Sequence, residues 1–201
     1  INNTFFLKER EKKLIQGFDY SDRYILSVLS CARHHNIINL LKAYKILIKE
    51  LDFDLKIVFV FQILDRNYFL EINKYIKANF TTNKTFIFTN LDSNLLPDLY
   101  KNSELYVFTS YCEVFGLTSL EAMSQEIPVV ISNRSALPEI NGDAAVYFDP
   151  DDIDEIKDSL KKVLIDKQLK QKLIDNGNRQ LKKFNNRVNI KKTIKIIENT
   201  I

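Results

Sequence analysis

The stretch ELYVFTSYCEVFGLTSLEAM (104–123) contains the pattern from which the fold of this chain is predicted. Its first part, ELYVFTS (104–110), is rich in apolar, aromatic and β-branched residues, which is typical of a strand buried on both faces of a parallel sheet. The loop YCEVF (111–115) separates it from GLTSLEAM (116–123), which begins a predicted helix over about 117–125. The order strand, short loop, helix predicts one part of a βαβ unit.

The same alternation of short apolar runs and longer helical patterns continues along the chain. The predicted strands are RYILSVLS (23–30), LKIVFVFQI (55–63), KTFIFT (84–89), ELYVFTS (104–110), IPVVIS (127–132) and AAVYF (144–148). The other predicted helices cover about 36–50, 65–79 and 93–102. Because such alternation forms right-handed crossovers, we predict an α/β fold: a Rossmann-like, doubly wound parallel sheet of about six strands with helices on both faces.

The length of 201 residues is that of one sizeable domain. We predict a single domain, 1–201, with a sheet core over about 23–150. A lysine-rich helical tail is predicted over about 151–201, with breaks at Gly177 and at Asn185–Asn186. Because the chain does not begin with Met, we also expect it to be a fragment of a longer polypeptide.

Composition narrows the class of protein. The net charge of +3 comes from lysines scattered along helical segments, which is typical of a solvated surface, so we expect no nucleic-acid partner. Cys31 and Cys112 show no CxxC pair or His/Cys ligand spacing, which argues against a disulfide framework or a zinc site and fits a reducing cytosol. The acids of DPDD (149–152) are predicted to be a strand exit and a helix N-cap rather than a metal site. No apolar run approaches the ~18 residues that span a bilayer.

The helix that begins after YCEVF is predicted to bind a phosphate. Open α/β sheets bind ligands at the carboxyl ends of their strands, and a helix N-terminus offers unpaired N–H groups and a partial positive charge. Gly116 has no Cβ, so the backbone there can approach a phosphate closely. Thr118 and Ser119 are expected to add hydroxyl donors.

Two glutamates flank this predicted phosphate site. Glu121 lies on the helical face of Leu117 and Thr118, and helical side chains lean back toward the N-terminus, so its carboxylate can accept hydrogen bonds from a ribose diol. Glu113 precedes the helix and can bind sugar hydroxyls or stabilise positive charge on a sugar. Glutamates at this spacing also occur as solvated helix residues, so the functional interpretation needs a longer motif.

A longer motif is present over residues 99–150, LYKNSELYVFTSYCEVFGLTSLEAMSQEIPVVISNRSALPEINGDAAVYFDP. With its two glutamates, PVVISN (128–133) and LPEINGDAAVYFDP (137–150), it resembles the donor-binding C-terminal half of the retaining glycosyltransferases with the two-domain GT-B fold, the group 1 or family 4 type. The resemblance extends more weakly to ILSVLSCARHHNIINLLKAY (25–44) and DDIDEIKDSLKKVL (151–164). It implies one half of a GT-B fold, with an acceptor domain preceding this chain.

The resemblance implies transfer of a sugar, with retention, from a nucleotide-sugar donor to a glycan or lipid-linked acceptor in polysaccharide or cell-surface glycan biosynthesis. It makes Glu113 the catalytic residue beside the donor sugar and Glu121 the ribose ligand. The residues implied to meet the donor sugar and diphosphate are Phe115, Gly116, Leu117 and Thr118. No metal or other cofactor is implied.

The loop after the first strand departs from this family. Its members normally carry an Arg and a Lys there, which neutralise the diphosphate. In ARHHN (32–36), His35 stands at the expected Lys and Arg33 or His34 at the expected Arg, so we predict that Arg33 and His35 bind the diphosphate. An imidazole is only partly charged at neutral pH, but a nearby phosphate would favour its protonated form. The alternative is that both histidines are loop residues without a role.

Other departures concern the donor sugar and the base. Leu29, Val114 and Glu126 stand where relatives commonly have glycine, and Val114 could narrow the sugar site, so altered donor choice and lost activity both stay open. Asn90 and Leu91 follow the strand KTFIFT and are predicted to contact the base. Turn chemistry is the alternative for Asn90.

The predicted function is therefore a glycosyltransferase of the hexosyltransferase type, of which this chain is the donor-binding half and is inactive alone. The expected partners are a nucleotide-sugar donor, a glycan or lipid-linked acceptor and the N-terminal domain of the same protein. The expected location is the cytoplasm, with peripheral association at the inner membrane face. The alternatives are a nucleotide-sugar epimerase of the same fold, a non-catalytic nucleotide-sugar-binding module and a basic-surface nucleic-acid binder.

Overall fold

The computed structural model describes residues 18–184 and contains one parallel six-stranded sheet. The strands are β1 (Tyr24–Cys31), β2 (Lys56–Ile63), β3 (Thr85–Thr89), β4 (Leu105–Phe108), β5 (Val129–Ser132) and β6 (Ala145–Phe148). Their order in the sheet is β3-β2-β1-β4-β5-β6, and every neighbouring pair is parallel. This is the strand order of a Rossmann-type doubly wound sheet, so the predicted fold class is confirmed.

Helices connect the strands and complete the fold. They are α1 (Ile37–Glu50), α2 (Arg66–Asn79), α3 (Leu96–Lys101), α4 (Leu117–Ser124), α5 (Leu137–Asn141), α6 (Ile153–Ile165) and α7 (Lys167–Leu181). The helical tail begins as predicted, because the Asp152 side chain caps α6 by accepting a hydrogen bond from the Glu155 amide at 3.0 Å.

The predicted helix break at Gly177 is wrong. Gly177 lies inside α7, where a Cβ atom would come within 3.1 Å of the Met123 side chain on α4. The glycine therefore serves the close approach of two helices, which sequence periodicity alone does not reveal. The other predicted break, at Asn185–Asn186, lies outside the described residues.

The central strands are covered on both faces. Every residue of β4 and β5 is buried, and since successive residues of a strand point to opposite faces, helices must pack on each face. On the helical layers α1 packs against α6, and α4 packs against α7. Four fully buried tyrosines have hydroxyls bonded to backbone carbonyls: Tyr24, Tyr44, Tyr100 and Tyr106. The core thus buries large aromatic area without orphaned hydroxyls at these positions.

The strand order reverses between β1 and β4, which lie side by side at the centre of the sheet. Their backbone pairing includes Ile25 with Leu105 and Leu26 with Tyr106. Further along, the Ser27 hydroxyl donates to the Val107 carbonyl oxygen at 2.9 Å, so a side chain takes over as donor between the strands. The helices that follow these two strands leave toward opposite faces at such a point, which opens a crevice at the carboxyl ends of the strands.

The turn from β1 into α1 is hydrogen-bonded to the segment that follows β6. Asn36 lies in the left-handed region, with φ 53° and ψ 39°, which asparagine tolerates better than most residues. Its side-chain amide donates to the Pro150 carbonyl oxygen at 2.6 Å, and the Asn39 amide donates to the same oxygen at 3.2 Å. Pro150, the second residue after β6, therefore fixes the turn that carries His34 and His35.

We expect Asn36→Ala to destabilise the fold by about 2 kcal/mol and Asn36→Gly by about 1 kcal/mol. Both variants lose the hydrogen bond to Pro150, but alanine also carries the cost of a left-handed backbone, which glycine avoids. Urea unfolding of both variants and of the parent chain checks this order. Equal stability of the two variants would contradict a left-handed requirement at this position.

Candidate functional site

A cleft of about 880 Å³ lies at the carboxyl ends of β1, β2, β3 and β4. Its polar lining includes Ser30 near the end of β1, both histidines after β1, Gln62 near the end of β2, Asn90 after β3, and Glu113 and Thr118 after β4. Eight predicted site residues line it: His35, Asn90, Leu91, Glu113, Phe115, Gly116, Leu117 and Thr118. The topology therefore brings together residues that are up to 83 positions apart in the chain, from His35 to Thr118. Their predicted roles stay predictions.

The N-terminus of α4 forms one wall of the cleft. Gly116 has φ 77°, and a Cβ atom there would lie 2.7 Å from Leu137 Cδ2, so the position needs glycine for both conformation and space. The Ser119 side chain is buried and its hydroxyl donates back to the Gly116 carbonyl oxygen at 2.8 Å. The expectation that Ser119 offers a hydroxyl to a ligand is therefore wrong, whereas Thr118 does line the cleft.

A hydrogen bond to the backbone of Glu113 fixes its position at the cleft wall. Its carbonyl oxygen accepts a hydrogen bond from the Ser135 hydroxyl at 2.7 Å, which ties the loop after β4 to the loop after β5. Burial raises the pKa of its carboxyl, while the Ser110 hydroxyl and the His34 ring act in the opposite direction. Its Oε1 lies 3.5 Å from His35 Nδ1. The carboxylate is thus a half-buried group that faces an imidazole.

His35 is buried beneath the cleft surface, in a short 3-10 turn formed by Arg33–His35. Its Nε2 lies 2.7 Å from the Ser30 hydroxyl oxygen, and its ring packs beside Phe108. Burial lowers the pKa of this imidazole to about 4, with the neighbouring His34 as a smaller cause, so the ring is neutral at pH 7. In this structure His35 does not carry the positive charge that a lysine at its position would carry.

Arg33 does not enter the cleft. Its Nη2 lies 2.9 Å from Glu71 Oε2, its Nε lies 3.8 Å from Asp65 Oδ2, and its guanidinium stands 5.0 Å from the Tyr68 ring centroid. The side chain is thus directed to α2. Among the described residues, none that line the cleft is a lysine or an arginine.

Glu121 lies on α4, about one turn beyond the cleft-lining residues Leu117 and Thr118, and is hydrogen-bonded to a tyrosine. Its Oε2 accepts a hydrogen bond of 3.1 Å from the Tyr100 hydroxyl, which also lies 3.3 Å from the Thr118 carbonyl oxygen. Burial raises the pKa of Glu121, and the Tyr100 hydrogen bond opposes that rise. No local pattern signals that a tyrosine at the end of α3 orients a carboxylate on α4.

Val114 and Glu126, which stand where relatives commonly have glycine, have different surroundings in the structure. Val114 lines the cleft with 92% of its surface exposed, so its side chain occupies open space at the entrance. Glu126 has φ 59°, a left-handed conformation that explains why glycine suits this position after α4. Asn90 also has a positive φ of 56°, a conformation that asparagine tolerates in turns, and it lines the cleft, so both interpretations of this residue stay open.

We expect Tyr100→Phe to raise the pKa of Glu121 further. The variant removes the hydrogen bond that stabilises the ionised carboxylate, while the burial that disfavours it remains. Because this folded-state pKa lies above the unfolded value, stability declines as pH rises between the two, and the variant should extend that decline to higher pH. Side-chain carboxyl NMR titration measures the pKa directly.

Tyr44→Phe is the matched control, since Tyr44 is equally buried and its hydroxyl donates to the Leu55 and Lys84 carbonyl oxygens far from Glu121. An unchanged or lowered Glu121 pKa in Tyr100→Phe would show that the hydrogen bond has no influence on this carboxyl.

Comparison with known proteins places this cleft in a family context. The chain matches the family model described as Glycosyl transferases group 1 over residues 8–180. It is 31% identical over 179 residues to a serotype-specific mannosyltransferase, WbdA, of Escherichia coli, a match that covers 88% of this chain and 22% of that protein. It is 42% identical over 89 residues to the O-antigen chain mannosyltransferase B of Escherichia coli, covering 44% of this chain and 23% of that protein. The chain therefore spans less than a quarter of the length of these relatives.

Solved structures support the same fold. The C-terminal domain of a group 1 family glycosyl transferase, LpcC, from Francisella tularensis superposes with a TM-score of 0.71 at 22% identity, covering 81% of this chain and 86% of that domain. Sucrose-phosphate synthase from Thermosynechococcus elongatus superposes with a TM-score of 0.76 at 18% identity, covering 91% of this chain and 46% of that protein. Because the family model covers most of the chain, this protein belongs to the group 1 glycosyltransferases.

Proposed function

We propose that this chain is the donor-binding part of a retaining GT-B glycosyltransferase that moves a hexosyl group from a nucleotide-sugar donor to a glycan or lipid-linked acceptor. One observation carries the proposal: a single cleft at the sheet's switch point contains Glu113, the N-terminus of α4 and the exits of β1 and β3. These are the parts needed for a sugar, a diphosphate and a base, in that spatial order.

In this proposal the donor diphosphate lies at the N-terminus of α4. The amides at the start of the helix and the helix dipole stabilise its negative charge, and Gly116 permits the left-handed backbone turn with which the helix begins, packed against Leu137. The same groups stabilise the additional charge that develops on the diphosphate as the bond to the sugar breaks. Phe115, Leu117 and Thr118 line the adjacent surface.

Glu113 is the proposed catalytic residue. Its carboxylate, partly desolvated and next to the diphosphate site, faces the volume in which the sugar would lie and can stabilise the positive charge of an oxocarbenium-like transition state. Glu121 is the proposed ribose ligand, oriented by Tyr100. Asn90 and Leu91 are the proposed contacts to the base, because they line the same cleft at the exit of β3.

The sugar and pathway are inferred from the relatives. Both Escherichia coli relatives are named as mannosyltransferases, and a further relative is a capsular polysaccharide biosynthesis glycosyltransferase of Staphylococcus aureus, 27% identical over 92 residues. We infer a mannosyl donor as the first to test and polysaccharide or cell-surface glycan synthesis as the process. The solved C-terminal domain that this chain resembles supports its assignment as the C-terminal, donor-binding half.

The remaining parts of the proposal concern the partner domain and the location. An acceptor-binding domain of the same polypeptide closes the cleft, so the isolated chain binds nucleotide without turnover. We infer a cytoplasmic location with peripheral association at the inner membrane face. Within residues 18–184, the structure has no helix that meets the length and hydropathy required to cross a bilayer.

One observation favours a second candidate, a non-catalytic nucleotide-sugar-binding module. The cleft lining, over the described residues, contains no lysine or arginine, and Arg33 is engaged by Glu71. A diphosphate leaving group needs stabilisation, so a site without a fixed cation could bind a donor without activating it.

Calorimetric titration of the chain with UDP, GDP, ADP and CMP tests the donor site. We expect selective binding of one nucleotide, weakened at least about tenfold by Glu121→Ala, because a ribose hydrogen-bond acceptor is lost. Glu139→Ala is the control: it removes an exposed glutamate of α5 that does not line the cleft. Equal binding of all four nucleotides, or no effect of Glu121→Ala, would contradict the assignment.

Glu113→Gln, placed in the polypeptide that includes the acceptor-binding domain, separates the two candidates. A catalytic Glu113 predicts a loss of kcat of roughly a hundredfold or more with nucleotide binding retained, because charge stabilisation acts in the transition state. Transfer activity equal to that of the parent protein would remove Glu113 from the mechanism. Absence of transfer in the parent protein itself, with nucleotide bound, would favour the non-catalytic module.

A further inference from the structure

We propose that His35 is a positioning residue for Glu113: its ring donates a hydrogen bond from Nδ1 to one carboxylate oxygen and leaves the other oxygen for the donor sugar. His35 belongs to the 3-10 turn after β1, Glu113 belongs to the loop after β4, and both residues line the cleft. His35 Nδ1 lies 3.5 Å from Glu113 Oε1. This inference rests on the proposed function, because it takes Glu113 as the group beside the sugar.

The unpaired ring nitrogen of His35 is the observation that carries the inference. The side chain is 6% exposed, and its Nδ1 is buried without a hydrogen-bond partner. Native proteins rarely leave a buried polar atom unpaired, because its lost hydration is not compensated. Hydrogen bonds at catalytic groups are often long before the substrate binds and shorten in the complex. A shift of roughly 0.5 Å would bring Nδ1 and Oε1 to hydrogen-bonding distance.

The second ring nitrogen allows the tautomer that this role requires. His35 Nε2 lies 2.7 Å from the Ser30 hydroxyl oxygen, and a hydroxyl can donate to Nε2 and so leave the ring proton on Nδ1. Because burial keeps the ring neutral at pH 7, only one of its nitrogens carries a proton. With that proton on Nδ1, an ionised Glu113 meets a donor. With the proton on Nε2, the carboxylate would meet a lone pair and be repelled.

The groups around this contact are held in place. The His35 ring packs beside Phe108 with the ring centroids 5.4 Å apart, and the Thr109 hydroxyl donates to the His35 carbonyl oxygen at 2.7 Å. The Ser135 hydroxyl donates to the Glu113 carbonyl oxygen at 2.7 Å. Because both backbones are fixed, we expect rotation of the Glu113 side chain, rather than movement of a loop, to shorten the contact.

A hydrogen bond from a neutral ring keeps Glu113 available for its proposed role. Burial raises the pKa of this carboxyl, and a donor beside the ionised form opposes that rise. A carboxylate has two oxygens, so a single bond from His35 leaves the second oxygen for the sugar. The positive charge that develops on the sugar then meets a carboxylate that stays ionised and keeps one orientation.

NMR on this chain tests the hydrogen bond without any donor. Correlations between the ring protons and ring nitrogens identify the tautomer, and we expect the proton of His35 on Nδ1. His35→Asn and His35→Leu are a matched pair, because the two side chains have the same branched shape and only the asparagine amide can donate. We expect the pKa of Glu113 to be about 1 higher in His35→Leu than in His35→Asn, since only the latter can stabilise the ionised form.

The other groups that act on this carboxyl, Ser110 and His34, are present in both variants, so the difference between the variants isolates the donor. A proton on Nε2 in the parent chain, or an equal pKa of Glu113 in the two variants, would overturn the inference. The tautomer is measured without any substitution, so this part of the test is decisive even where replacement of a buried histidine prevents folding.

Kinetics of the polypeptide that includes the acceptor-binding domain separate positioning from ligand binding. We expect His35→Leu to lower kcat roughly tenfold or more while the KM for the donor changes less than about twofold, and His35→Asn to recover most of that loss. The sequence instead predicts that His35 binds the diphosphate. Nucleotide affinity that falls about tenfold in both variants, with equal kcat values, would assign His35 to the diphosphate and overturn the positioning role.

Failure of this inference and failure of the proposed function give different results. If Glu113→Gln abolishes transfer while His35→Leu and His35→Asn are equally active, the proposed function stands and His35 has no positioning role. If Glu113→Gln transfers the sugar as fast as the parent protein, the proposed function fails and this inference fails with it.

Discussion

Two hydrogen bonds between the loops after β1 and β4 hold the cleft in its shape. They run from the Thr109 hydroxyl and the Tyr111 amide to the carbonyl oxygens of His35 and His34. β1 and β4 are neighbours only because the strand order reverses between them, so these loops meet at the one place where helices depart to opposite faces. Every contact proposed for a donor depends on this junction, because it sets the distance from the loop after β1 to Glu113.

The architecture could be predicted from sequence because strands buried on both faces leave a continuous apolar signal. That signal placed all six strands within two residues, and the helix predicted over about 117–125 corresponds to α4, which begins at Leu117. What could not be predicted are contacts between distant elements. The bond from Tyr100 to Glu121, the withdrawal of Arg33 to Glu71 and the helix contact at Gly177 each depend on tertiary packing, which no local periodicity encodes.

The site also shows how burial changes the meaning of a residue. A histidine at the position of a family lysine suggests a weaker cation, but beneath the cleft surface it becomes a neutral group with a free nitrogen. Burial in surroundings of low dielectric constant favours the uncharged form of an ionisable group, and for the same reason it raises the pKa of Glu113. The described lining of the cleft therefore offers an anion the N-terminus of α4 but no lysine or arginine side chain.

The hydrogen bond from Asn36 to Pro150 has a consequence for the order of folding. It closes a loop of 114 residues, and the entropy of closing so long a loop must be overcome before the bond can stabilise anything. During synthesis on a ribosome, β1 and β2 can pair before the later strands have been synthesised. The turn bearing both histidines acquires its left-handed anchor only after synthesis has passed residue 150 and β6 has joined the sheet. This anchor of the cleft therefore depends on a segment that is synthesised long after the turn itself.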